Sequence, residues 1–232
     1  MITITRKDQL HHFENDWLSA YWHFSFDHYY DPNNMAFGQL RVFNDDTVRP
    51  RSGFPRHGHK DMEIVTLVLG GMLEHEDDQG NRGLLRAGEV QVMSAGWGIG
   101  HAERNPSSDE PLHLFQIWFL PLTRRHPPRW EQRAFPAADR RSRLLPVVSD
   151  GSVPGALQID QNVTIFMGSL GAGDALTHSL GEGRRAYLVG IDGEWTLNGQ
   201  PVNPGDAARV SGEAALSVKA AGPAELVLLD LP

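Results

Sequence analysis

In the stretch Gly53-Phe54-Pro55-Arg56-His57-Gly58-His59-Lys60-Asp61-Met62-Glu63, two imidazoles stand two residues apart, and the chain then enters an apolar run over residues 63–69. Residues i and i+2 of a strand project to the same face, so His57 and His59 are presented side by side. At strict period two, Glu63 shares that face. Further runs of strand length, rich in Val, Ile, Leu and aromatics, cover residues 90–93, 112–120, 186–191 and 226–231, with 24 glycines and 15 prolines punctuating the chain. Sustained 3.6-residue periodicity is rare. Short helices are expected only at residues 6–12 and 136–143. The pattern predicts an all-β fold of many short strands, hence a sandwich or barrel.

A second cluster lies in Gly88-Glu89-Val90-Gln91-Val92-Met93-Ser94-Ala95-Gly96-Trp97-Gly98-Ile99-Gly100-His101-Ala102-Glu103-Arg104-Asn105. His101 and Glu103 repeat the i, i+2 geometry. The alternating glycines 96, 98 and 100 allow close backbone approach or positive φ. Two such pairs on neighbouring strands can converge on one ion and supply three nitrogens and one oxygen, a set that suits divalent transition metals. Spacing alone leaves Glu63 and Glu103 on equal terms as the oxygen donor.

A weak internal repeat divides the chain. Leu69-Gly70-Gly71-Met72-Leu73-Glu74, a turn, and Leu85-Arg86-Ala87-Gly88-Glu89-Val90 are echoed by Gly190-Ile191-Asp192-Gly193-Glu194-Trp195, the hairpin signal Asn198-Gly199, and Val202-Asn203-Pro204-Gly205-Asp206-Ala207. The Pro/Arg-rich passage 121–136 and Arg140-Arg141-Ser142-Arg143 between the copies read as linker. One barrel is therefore expected over residues 1–125, a linker over 126–145 and a second barrel over 146–232. The second half contains only His178 and no His-x-His, so a metal is expected in the first barrel alone.

Composition narrows the class. Hydrophobic residues make up 40% of the 232 and charged residues 22%, as in an ordinary globular protein, and the net charge is −8. An acidic total disfavours nucleic acid as a direct partner. Cysteine is absent, which excludes disulfides, thiolate metal sites and cysteine nucleophiles. The opening Met-Ile-Thr-Ile-Thr-Arg-Lys lacks an export-type apolar run and no stretch is long enough to span a membrane, so cytoplasmic residence is expected.

Gly53, His57, His59, Glu63 and Gly70 follow the first cupin motif. Gly88, Gly96, His101 and Asn105 resemble the second, with two extra residues between its Gly and its His. The closer resemblance is to pirin-like bicupins. It is carried by Trp22-His23-Phe24-Ser25-Phe26, Tyr29-Tyr30-Asp31-Pro32, Leu40-Arg41-Val42-Phe43-Asn44-Asp45-Asp46, His59-Lys60-Asp61-Met62-Glu63-Ile64, Met93-Ser94-Ala95-Gly96, Asn105-Pro106-Ser107-Ser108 and Gln116-Ile117-Trp118. The match is dense over residues 17–120 and thin beyond. It implies two cupin, jelly-roll-like β-barrels in tandem. The ligand set it implies is His57, His59, His101 and Glu103, with Glu63, a ligand in many other cupins, reduced to a supporting or structural role.

The implied cofactor is one divalent transition metal, iron first, with nickel, cobalt, manganese, copper or zinc as alternatives. Four protein ligands on a six-coordinate ion leave roughly two open positions, which favours catalysis. Some pirin-like proteins resemble flavonol (quercetin) 2,4-dioxygenases. The resemblance therefore implies a small aromatic substrate and O2, ring opening to a depside with loss of carbon monoxide, and Glu103 taking the hydroxyl proton. A monomer is expected. The rival reading is a redox-sensing regulator that binds a protein partner through a metal-dependent surface. A Lewis-acid isomerase or hydrolase is a third. Phe37, Met93, Gln116, Trp118 and His113 are candidate pocket residues, and His11, His12, His23, His28 and His126 are read as surface or structural.

Overall fold

The computed structural model describes all residues, Met1–Pro232. In chain order the strands are β1 (Ile2–Thr5), β2 (His11–Glu14), β3 (Leu18–Trp22), β4 (Leu40–Val48), β5 (Gly53–His59), β6 (Glu63–Gly70), β7 (Met72–Asp77) and β8 (Arg82–Arg86). There follow β9 (Glu89–Ser94), β10 (Ile99–Arg104), β11 (Leu112–Phe119), β12 (Arg129–Ala134), β13 (Arg143–Ser149), β14 (Leu157–Gln158) and β15 (Thr164–Leu170). The last seven are β16 (Ala175–Ser179), β17 (Arg185–Asp192), β18 (Trp195–Leu197), β19 (Gln200–Val202), β20 (Ala207–Ser211), β21 (Ala215–Ala220) and β22 (Ala224–Leu231). The expected all-β, two-barrel fold is what the chain adopts.

Two compact units emerge. The first comprises residues 11–135 and 157–161, the second residues 1–10, 136–156 and 162–232. In the first unit, a sheet in the order β12-β9-β6-β11-β4-β3-β2 faces a smaller one in the order β5-β10-β7-β8. In the second, β1-β20-β17-β22-β15-β13 forms one sheet and β16-β21-β18-β19 the other. From β12 through β3 in one large sheet and β1 through β13 in the other, and throughout the small sheets, the orders match strand for strand, so the repeat read in the sequence is a structural one. Its turns match as well. Gly71 (φ 72°) and Gly193 (φ 67°) both lie in the left-handed region. A Cβ on either would sit 2.3 Å and 2.0 Å, respectively, from the carbonyl oxygen of Pro111 or Pro223, each at the start of the strand paired above it.

Three expectations are corrected. Residues 6–12 hold only one turn of 3-10 helix (Lys7–Gln9) before β2, and residues 136–143 hold another (Ala137–Arg140). Residues 1–10 do not join the first barrel. Ile2 and Ile4 pack on the core of the second unit, and β1 pairs with β20 in the register Ile2↔Val210. Finally, Arg129–Ala134 is strand rather than linker, and pairs with β9 along its length, Trp130 opposite Met93 and Gln132 opposite Gln91. No helix is long and apolar enough to cross a membrane.

Candidate metal centre

The pairing of β5 with β10 sets His57 opposite His101 and His59 opposite Ile99. Same-face projection then brings three imidazoles together. One ring nitrogen from each of His57, His59 and His101 lies within 4.8 Å of the other two, and the Nε2 atoms of His57 and His101 are 3.2 Å apart. His57 Nδ1 donates to the Pro55 carbonyl oxygen at 2.8 Å, which leaves the Nε2 lone pair facing the cluster. His59 packs edge-on against Trp118, centroids 4.8 Å apart. Burial, reinforced by His57, holds the His59 pKa down at about 4. His101 is pushed down to about 2 by burial and by the neighbouring rings, and its buried Nδ1 has no partner. Three imidazoles converging on one point are a donor set that fits a divalent ion.

Glu103 is on the same strand, two residues on and fully buried. Burial pushes its pKa up to about 7, against the opposing hydrogen bonds from Gln91, Gln116 and Thr66. Gln91 Nε2 donates to Oε1 at 2.5 Å and Gln116 Nε2 to Oε2 at 3.0 Å. The amides are themselves oriented: Trp130 Nε1 donates to Gln91 Oε1 at 3.0 Å, and Thr66 Oγ1 to Gln116 Oε1 at 3.2 Å. Registers Asn44↔Gln116, Gln116↔Thr66 and Thr66↔Gln91 place these groups in one row across the large sheet. Glu103 reaches that row from the small sheet opposite.

Glu63 goes elsewhere. Asp61 takes a positive φ (47°) between β5 and β6, so period two does not run through the turn and Glu63 starts a strand in the other sheet. Its Oε2 accepts from Ser94 Oγ at 2.6 Å, and its Oε1 lies 3.3 Å from His126 Nε2. Burial raises its pKa. His126, read as surface or structural, is thus the partner of a buried carboxyl.

One residue went unnoticed in the sequence. His75, fully buried on β7, sits opposite Glu103 in the β7–β10 register, with Nδ1 4.0 Å from Glu103 Oε1. It stacks on Trp130 (5.2 Å, 11°) and its Nε2 lies 3.4 Å from Asp77 Oδ2. With His101 and Glu103 it makes a second group of close donor atoms. The His-x-Asp spacing of His75 and Asp77 was the available signal.

Above the imidazoles is a cavity of about 370 Å³, walled by aromatic rings that include Trp22, Phe26, Phe54 and Trp118. Gln116 and Trp118 line it as expected. Phe37 and His113 do not: His113 bonds Asp45 Oδ1 at 2.6 Å, and Met93 is core packed with Ile64 and Ile99. His23 is buried against Phe43.

Two matched barrels with a three-imidazole centre in the first define a bicupin with a site fit for a divalent metal. The chain belongs to the pirin family. The family model for pirin matches residues 4–119, and that for the quercetinase C-terminal cupin domain matches residues 146–231. A quercetin 2,3-dioxygenase of Escherichia coli K12 is 41% identical over 232 residues, covering 100% of this chain and 99% of the relative. A pirin-like protein of Caulobacter vibrioides is 44% identical over 224 residues, 96% of each chain. The crystal structure of the bacterial pirin YhhW from E. coli in complex with nickel(II) superposes with a TM-score of 0.95 at 40% identity, covering 100% of this chain and 99% of that one.

Proposed function

We propose that this protein is a metal-dependent flavonol dioxygenase, with His57, His59, His101 and Glu103 as ligands to one divalent ion. The observation that carries the reading is the convergence of three imidazoles beneath an aromatic-walled cavity, with a buried carboxyl beside them. The dioxygenase names of the relatives support the substrate class. Iron is the proposed native ion, and the nickel(II) complex of the E. coli relative supports nickel as the alternative. The enzyme is proposed to act as a cytoplasmic monomer.

A bound ion at this centre supplies Lewis acidity toward a substrate hydroxyl and an electronic path to O2. The rest falls to the chain. The aromatic walls suit a planar ligand. Glu103 accepts the proton of the flavonol 3-hydroxyl on its carboxylate, which Gln91 and Gln116 keep in place. Overall, O2 adds across C2 and C4 of the heterocycle, the two bonds to C3 break, and C3 leaves as carbon monoxide. Both oxygen atoms remain in the depside, whose carboxyl recovers the proton from Glu103.

Anaerobic reconstitution with iron, nickel, cobalt, manganese, copper or zinc, followed by quercetin and O2, tests this. Equimolar O2 uptake and carbon monoxide release are expected with at least one ion. Failure of every ion to support O2 uptake overturns the reading.

A further inference from the structure

Two cavity residues have no part in the chemistry above. Asn44 and Asp46 lie two apart on β4 and face into the first barrel, and each is almost wholly buried, 3% and 2% exposed. Asn44 Oδ1 and Asp46 Oδ1 are both without a hydrogen-bond partner. A buried acceptor left unmade is costly, so a pair of them on the wall of a cavity wants a ligand that donates.

The second barrel shows that the fold does not require them. Counting from the matched turns, Asn44 pairs with Gln116 where Phe166 pairs with Leu228, and Asp46 pairs with Leu114 where Gly168 pairs with Leu226. The equivalent positions are a phenylalanine and a glycine, and the second barrel closes over them as apolar core. Polar groups at 44 and 46 are therefore specific to the barrel that has the cavity. Around them the walls are aromatic, which selects a flat, unsaturated ligand.

We propose that Asn44 and Asp46 form a hydroxyl-recognition subsite that selects polyhydroxylated aromatic ligands, by accepting hydrogen bonds from a phenolic hydroxyl other than the one whose proton goes to Glu103. The inference rests on the flavonol reading and makes it more specific. Asn44 and Asp46 are specificity-determining residues, and the reacting atoms lie with the imidazoles and Glu103.

The test is equilibrium binding under anaerobic conditions to the metal-loaded full-length protein, followed by quenching of tryptophan fluorescence. The ligands are 3-hydroxyflavone, which carries only the reacting hydroxyl, quercetin, which carries four more, and catechol alone. The proteins are wild type, Asn44→Leu, Asp46→Asn and Asp46→Leu, each with its metal content measured. Wild type is expected to prefer quercetin over 3-hydroxyflavone by about 10- to 100-fold, and Asn44→Leu and Asp46→Leu to lose most of that preference with 3-hydroxyflavone affinity and metal content unchanged. Asp46→Asn keeps the shape and one acceptor, and should fall between. Equal losses for both flavonols, or no preference in wild type, overturn the proposal. If the preference is present and pair-dependent but quercetin is not turned over with O2, the dioxygenase reading fails while the subsite stands. If neither flavonol binds, catechol decides: binding lost in Asn44→Leu upholds the subsite, and binding absent or unaffected overturns it.

Discussion

The two barrels share one strand order and one set of turns, yet one encloses converging imidazoles beneath a cavity and the other holds an apolar core. Register identifies the cause position by position. His57 opposite His101 in the first barrel is matched by His178 opposite Leu216 in the second. Glu103 opposite His75 is matched by Val218 opposite Leu197. The polar row Asn44, Gln116, Thr66, Gln91 becomes Phe166, Leu228, Leu188, Ala208. Even the surviving His178 is diverted, with Nε2 2.8 Å from Asp230 Oδ2. The same backbone thus supports either a hydrophobic core or a site, and the choice rests on about eight inward positions. Burial of apolar side chains stabilises the second barrel directly. In the first, each buried polar group needs a partner, which the row supplies to Glu103 through Gln91 and Gln116.

The sharpest way to break the comparison is to copy the second barrel into the first. His101→Leu reproduces Leu216 and should abolish metal binding and turnover. The affinity loss should exceed the 10- to 100-fold typical of removing a residue that only supports a ligand. Far-ultraviolet circular dichroism should stay that of the folded barrel. Retained stoichiometric metal would mean that His101 is not a ligand.

Glu103→Gln comes next. Turnover should drop about 10²- to 10⁴-fold through loss of the base. Metal affinity, measured by competitive chelation, should fall far more than in Glu63→Gln, because Glu63 is occupied by Ser94 and His126. A larger loss at Glu63 would reverse the ligand assignment.

Gly71→Ala and Gly193→Ala test whether the turns are truly equivalent. Both introduce a Cβ into the left-handed region and against a carbonyl oxygen. Each should destabilise its own unit by roughly 1–3 kcal/mol in denaturant titration. A large loss at one and none at the other would show that the match is only one of strand order.

The smallest effect concerns acid. In the metal-free protein His59 and His101 have pKa values depressed from 6.5 to about 4 and about 2. The unfolded chain therefore takes up protons first, and stability is lost as pH falls from 6.5 toward 4. Glu103, raised from 4.5 to about 7, has the opposite sign and adds stability as pH falls from 7 toward 4.5. Melting temperature should therefore decline gently from pH 6.5 to 4.5, most steeply between 4.5 and 4, and gently again below 4, where only His101 still contributes. Glu103→Gln should steepen the upper part. A flat profile across the whole range would show that His59 and His101 are not held neutral.

What could be read from sequence was what repeats locally. The i, i+2 pairs gave the three imidazoles, and the Gly-centred turns gave the two barrels, because strand periodicity and left-handed glycines leave a local imprint. The remainder depended on pairing across the fold. Nothing near Glu63 announced the positive φ at Asp61 that turns it away. His75 reaches the centre only through the pairing of β7 with β10. Residues 129–134 looked like linker because charged and proline residues surround them, yet Trp130 orients Gln91 and stacks on His75. Likewise, β1 reads as the beginning of the first barrel until β20 claims it.

That last pairing carries a consequence for biosynthesis. On the ribosome β1 emerges ahead of the first barrel, while its partner β20 emerges after it. The first barrel, apart from the short segment 157–161, is complete in the nascent chain long before then. Until β20 arrives, Ile2 and Ile4 stay unburied, an exposed edge for a chaperone to shield or a neighbouring chain to capture. A fusion that holds those residues back should leave the metal centre intact and slow the closure of the other barrel.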